Sequence, residues 1–106
     1  MNISSSTKDD IMSTLERIKK HSGVEYILIL NNEGKVIYSS SDQHDSKTYA
    51  DVITKLTTKA RSVVRDLQPQ NDLTFLRMRT KGKEFLIAPE KDYVLIVVQK
   101  MIGTNE

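Results

Sequence analysis

The chain contains no cysteine. That excludes a disulfide scaffold, thiolate-ligated zinc and thiol catalysis. An excess of one charge is also missing. Sixteen Lys and Arg stand against fourteen Asp and Glu, a formal net charge of +2. A nucleic-acid clamp or a polybasic membrane anchor needs far more. Only four glycines are present, and neither GxGxxG nor a Walker pattern occurs, so phosphate cradling by a Gly-rich loop is not expected. The longest apolar runs, Tyr26–Leu30 and Tyr93–Val98, fall well short of the ~18 residues of a membrane-spanning helix. The opening Met1–Ser6 is polar and lacks the apolar stretch of a signal peptide. Asn2 stands where N-myristoylation needs Gly. With 106 residues and 38% hydrophobic content, one domain with one modest core is expected, and no large internal cavity.

What is present is a clear succession of periodic segments. Residues 1–7 are Ser/Thr-rich and read as a disordered tail, 8–102 as a single domain and 103–106 as a frayed end. A short helix is expected over about Asp9–Lys20. Ile11, Leu15 and Ile18 share one face, Thr7/Asp10 or Ser6/Asp9 provide the cap, and Gly23 provides the stop. Val24–Leu30 ends in an unbroken apolar run, as a strand covered on both faces would. Asn31–Gly34 turns the chain into a shorter strand, Val36–Ser40. The dominant signal is a second helix over Ser46–Leu67, ended by Pro69 through its effect on Gln68. Tyr49, Val52, Ile53, Leu56, Ala60, Val63, Val64 and Leu67 fall within one arc of ~120° and are expected to face the core. Beside them runs a row of smaller residues, Ala50, Thr54, Thr57 and Arg61, expected to meet another protein. Three strands follow: Leu73–Arg79, an edge strand; Glu84–Ala88; and Tyr93–Val98, again fully buried. The order α-β-β-α-β-β-β implies an α/β/α sandwich, one antiparallel five-stranded sheet with a helix on each face.

Constellations for catalysis are missing. His21 and His44 are far apart in sequence, and no carboxylate cluster has ligand spacing around them. None of the ten serines lies in G-x-S-x-G, and Ser39-Ser40-Ser41 reads as a strand end. Arg77, Arg79, Lys81, Lys83 and Lys91 make a local basic patch. No aromatic ladder accompanies it, so a charged edge that resists sheet-to-sheet aggregation fits better than RNA binding. No enzyme activity, cofactor, metal or small-molecule substrate is expected. What remains is surface for binding proteins.

Two blocks make a family resemblance visible. Lys59-Ala60-Arg61-Ser62-Val63-Val64-Arg65-Asp66-Leu67 leads into Pro69-Gln70-Asn71-Asp72-Leu73-Thr74-Phe75-Leu76-Arg77-Met78-Arg79. Ile87-Ala88-Pro89-Glu90-Lys91-Asp92-Tyr93 is followed by Leu95-Ile96-Val97-Val98-Gln99. With Gly23-Val24 and Asn31-Asn32-Glu33-Gly34 upstream, residues 9–100 resemble the roadblock family of dynein light chains. Lys35-Val36-Ile37-Tyr38 and the Ser-rich start depart from the usual pattern, as in a divergent paralogue.

The resemblance implies the roadblock/longin-like fold with sheet order 2-1-5-4-3. It implies a homodimer, or a heterodimer of paralogues, made by antiparallel second helices and joined third strands. The interface would then comprise Ala50, Thr54, Thr57, Arg61, Leu73, Thr74, Phe75, Leu76 and Arg77. It further implies a non-catalytic accessory subunit of a microtubule motor, binding a segment of the dynein intermediate chain. The setting would be cytoplasmic and cytoskeletal, or axonemal. The alternative within the family is a scaffold or regulator of a small GTPase. On this reading Thr57→Glu and Leu76→Asp are both expected to break the pair.

Overall fold

The computed structural model describes residues 5–41 and 45–101. In chain order the elements are α1 Ser5–Lys19, β1 Val24–Asn31, β2 Val36–Ser39, α2 Ser46–Leu67, β3 Leu76–Arg79, β4 Lys83–Pro89 and β5 Tyr93–Lys100. All strand pairs are antiparallel, in one sheet of order β2-β1-β5-β4-β3. The topology and strand order are those expected. The two strands with unbroken apolar runs, β1 and β5, lie side by side within the sheet.

Their register pairs Tyr26 with Val98, Leu28 with Ile96 and Leu30 with Val94. The period of two then sorts the side chains. Tyr26, Leu28, Leu30, Ile96 and Val98 meet Ala50 and Ile53 of α2 on one face. Ile27, Ile29 and Tyr93 meet Ile11 and Leu15 of α1 on the other. The Tyr26 hydroxyl lies 3.1 Å from Ser39 Oγ, and Ser40 Oγ accepts from Ile27 N–H at 2.8 Å. Two of the three consecutive serines thus tie β1 to β2.

α1 begins at Ser5, four residues before the expected start. Residues 5–7, expected as tail, lie within it, and both expected capping pairs fall inside the helix rather than at its cap. Ser and Thr cost only a few tenths of a kcal/mol each in a helix, and the helix is anchored by buried Ile11 and Leu15. Residues 1–4 of the expected first tail, the whole expected tail 103–106, and His44 lie outside the described residues. Gly23, at φ +91°, turns the chain from α1 into β1.

α2 spans the expected residues. Asp45 caps it by accepting from Thr48 N–H at 3.1 Å and from the Thr48 hydroxyl at 2.7 Å. Those two bonds hold the Asp45 carboxyl below its ordinary pKa. At the far end Gln68, at φ −141°, leaves the helix before Pro69 and donates to Val64 O at 2.7 Å.

The first edge strand is shorter than expected: β3 starts at Leu76, not Leu73. Leu76 pairs with Ile87. Continuing that register would set Thr74 opposite Pro89, which has no N–H to give. β4 and β5 each run slightly beyond their expected ends. In β5, Val94 and Leu95 are only half-buried, so that strand is not covered throughout.

Candidate protein-binding surface

α2 meets the sheet along a different line from the expected one. Its buried residues are Ala50, Ile53 and Thr57. The sheet face beneath carries Tyr26, Leu28, Leu30, Ile96 and Val98, all large and fully covered. A helix comes closest to such a face where its side chains are small, so Ala50 and Thr57 flank Ile53 along the contact line. Tyr49 flanks this contact, its ring 5.3 Å from that of Tyr26 and edge-on at 85°.

The rotation has a consequence for the apolar arc. Val52, Val63 and Leu67, expected in the core, are 58%, 45% and 76% exposed. Leu56, Ala60 and Val64 are half-buried. Residues 52, 56, 60, 63 and 67 recur at steps of four, four, three and four. They form one seam along the outer side of α2.

The nine expected interface residues therefore divide. Ala50 and Thr57 are buried against the chain's own sheet, 2% and 5% exposed, and present no face to a second helix. Thr54 and Arg61 are half-buried and line a small pocket on the sheet side of the helix. Leu73 and Leu76 are half-buried; Thr74, Phe75 and Arg77 are exposed. The exposure of Val52, Val63 and Leu67 is not legible in the sequence, because periodicity reports that a helix has an apolar side, not which part of it a sheet will take.

β3 is an edge, with no strand beyond it among the described residues. Beside it, between α2 and the β3–β4 hairpin, lies an apolar groove of about 320 Å³ lined by Tyr49, Val52, Met78 and Phe85. On the other face of the sheet, past α1, Phe75, Leu86, Ala88, Leu95 and Val97 line a second groove of about 300 Å³. Neither groove has convergent catalytic groups.

Much of the basic patch is neutralised locally. Glu84 is buried and accepts from Gln99 Nε2 at 2.9 Å, with Arg79 Nη2 at 3.1 Å and Arg77 Nε at 3.4 Å. The Gln99 amide first, then the two guanidiniums, hold its carboxyl below the ordinary value despite desolvation. Lys83 Nζ lies 2.9 Å from Glu25 Oε1, which raises the Lys83 pKa. Two arginines sharing one carboxylate leave one positive charge in excess within that cluster. Among the described residues no three His, Asp or Glu side chains gather as metal ligands, and no helix is long and apolar enough to cross a membrane. His21 is exposed at the end of α1.

Residues 11–100 match the family described as the Roadblock/LC7 domain. A Roadblock/LC7 domain from Streptomyces avermitilis superposes with a TM-score of 0.74 at 12% identity, covering 83% of this chain and 75% of that one. MglB from Myxococcus xanthus gives 0.71 at 13% identity, covering 84% and 74%. The gliding protein MglB of Thermus thermophilus gives 0.73 at 9% identity, covering 94% and 77%. At such identities these likenesses establish the fold alone.

Proposed function

Since this chain belongs to the Roadblock/LC7 domain family, we propose that it is a non-catalytic binding subunit that works as a pair, with a second copy or a paralogue. The observation that carries this reading is the seam of exposed Val52, Val63 and Leu67 on α2, with Val52 at the groove beside the uncovered β3 edge. A seam of this kind is self-complementary. Antiparallel pairing centred near Thr57 and Thr58 sets Val52 of one copy against Val63 of the other, with Leu56 and Ala60 about one residue out of direct register between them. In such a pair the groove by Met78 and Phe85 would lie beside the helices, and the β3 edges would join.

The partner proposed for the pair is a segment of the dynein intermediate chain, in a cytoplasmic or axonemal microtubule motor complex. This rests on the Lys59–Arg79 block. A disordered segment would fold onto the paired surface, so its affinity would depend on prior dimerisation. Affinity purification from native cytosol at endogenous level tests it. Recovery of an intermediate chain supports the reading, and the isoform identifies the motor. Recovery of a small GTPase without dynein would replace it with the scaffold reading, which the exposed Arg77/Arg79 edge favours as a contact for an acidic partner.

A further inference from the structure

Apart from the apolar grooves, a small polar pocket of about 60 Å³ lies between α2 and the β1–β2 turn. Thr54, Thr57 and Arg61 form its helix side, and Asn31 and Gly34 its turn side. A threonine inside a helix commonly bonds a carbonyl one turn back. Thr57 does not. It is 5% exposed, and its Oγ1 has no hydrogen-bond partner. Arg61 stands one turn further along the same side. Its Nε is buried and also lacks a hydrogen bond; the carboxylate oxygen Asp72 Oδ1 is 3.5 Å away, an ion pair without alignment. Buried donors are nearly always satisfied, so two in one pocket call for an acceptor.

The turn is a poor source of that acceptor. Asn31 Oδ1 already accepts from Glu33 N–H at 2.8 Å and Lys35 N–H at 2.9 Å, and Asn31 O accepts from Gly34 N–H at 3.0 Å. Nor is the local charge balanced. Arg61 and Arg65 share Asp72, at 3.5 and 3.2 Å, which leaves one positive charge in excess.

We propose that this pocket binds an oxyanion of carboxylate size, one oxygen accepting from the Thr57 hydroxyl and another from Arg61 Nε–H. The space, set against the ~10–15 Å³ that one water requires, suits a carboxylate or a single phosphate group and excludes a nucleotide. The oxyanion comes either as a free ion or as the Asp or Glu side chain of a bound protein.

The test is an NMR titration of the intact chain with acetate, inorganic phosphate and a doubly blocked aspartate, each against chloride at constant ionic strength. The expected result is a saturable shift at the Thr57 amide and the Arg61 Nε–H. Thr57→Val keeps the shape, removes the donor, and should weaken binding about tenfold or more. Should that variant fail to fold, Arg61→Lys, which keeps the charge and lacks Nε–H, carries the same comparison. Binding of the blocked aspartate together with acetate assigns the site to a protein side chain. Binding of acetate or phosphate without it assigns the site to a free ion. Shifts that never saturate, or a Thr57→Val response equal to that of the wild type, overturn the proposal and leave a pocket filled by water.

Discussion

Val63→Glu tests the pairing surface directly. Val63 is 45% exposed in the single chain. Full burial of a valine contributes about 1.5–3 kcal/mol, so covering its exposed half contributes about 1 kcal/mol per copy and about 2 kcal/mol in a twofold pair. Glutamate removes that contribution and sets a carboxylate against the partner's Val52. Dissociation constants should rise about 30-fold. Adding Val52→Glu, at a position 58% exposed, doubles the lost burial and brings the effect to about a thousandfold. The fold of each chain should be nearly untouched. Both side chains already face solvent, glutamate is at least as good a helix former as valine, and surface substitutions usually stay within about 0.5 kcal/mol. Sedimentation equilibrium over a dilution series reads the mass, and far-UV circular dichroism reads the fold. If the double variant still sediments at twice 12.1 kDa at the lowest concentration, the seam is not the interface. If mass falls only when the helix signal is lost, α2 carries a core role that its exposure does not reveal.

Other outcomes follow from the same geometry. Thr57→Glu should unfold the chain rather than release a folded monomer, because it forces a carboxylate under α2; a cost of about 3 kcal/mol or more is expected in denaturant titration. Gly34→Ala should cost about 1–2 kcal/mol, since a Cβ there would sit 3.0 Å from Thr54 Oγ1 at φ +83°. Gly82→Ala meets nothing within 4 Å and should stay within about 0.5 kcal/mol in the same assay. Asp45, Asp72 and Glu84 all have lowered pKa values, from Thr48, from Leu73 N–H with Arg61 and Arg65, and from Gln99 with Arg79 and Arg77 respectively. Their contribution is present above the ordinary carboxylate pKa of about 4 and is lost as pH falls through the lower folded values. Melting temperatures should therefore decline below about pH 4. Glu84→Gln should flatten that decline, and an unaltered profile would show that the Arg77/Arg79 pair does not couple to folding.

Most of the fold was legible because its signals are local. Tyr26–Leu30 and Tyr93–Val98 are too apolar to lie anywhere but inside a sheet. Pro69 stops α2 by acting on its neighbour Gln68, and Gly23 and Gly34 occupy positions that require positive φ. The misjudged boundaries depended on something distant. β3 starts three residues late where Pro89, on another strand, would stand opposite Thr74 with no N–H to give. The start of α1 at Ser5 is favoured by the burial of Ile11 and Leu15 against Ile27 and Ile29, which sequence spacing near Asp9 does not report.

The candidate surface divides the same way. Sequence by itself determined that α2 is a long amphipathic helix, that a row of small residues runs beside its apolar arc, and that an edge strand carries Arg77 and Arg79. Which of the two rows faces inward was decided only by the tertiary structure. An arc of ~120° is wider than the line along which a helix touches a flat sheet, so its orientation depends on the shape beneath it. Here Tyr26, Leu28, Leu30 and Ile96 fill that space, and α2 meets it through Ile53 together with the small Ala50 and Thr57. Val52, Val63 and Leu67 are turned outward as a result, and Thr57 and Arg61 are left facing a polar pocket that no spacing in the sequence announces.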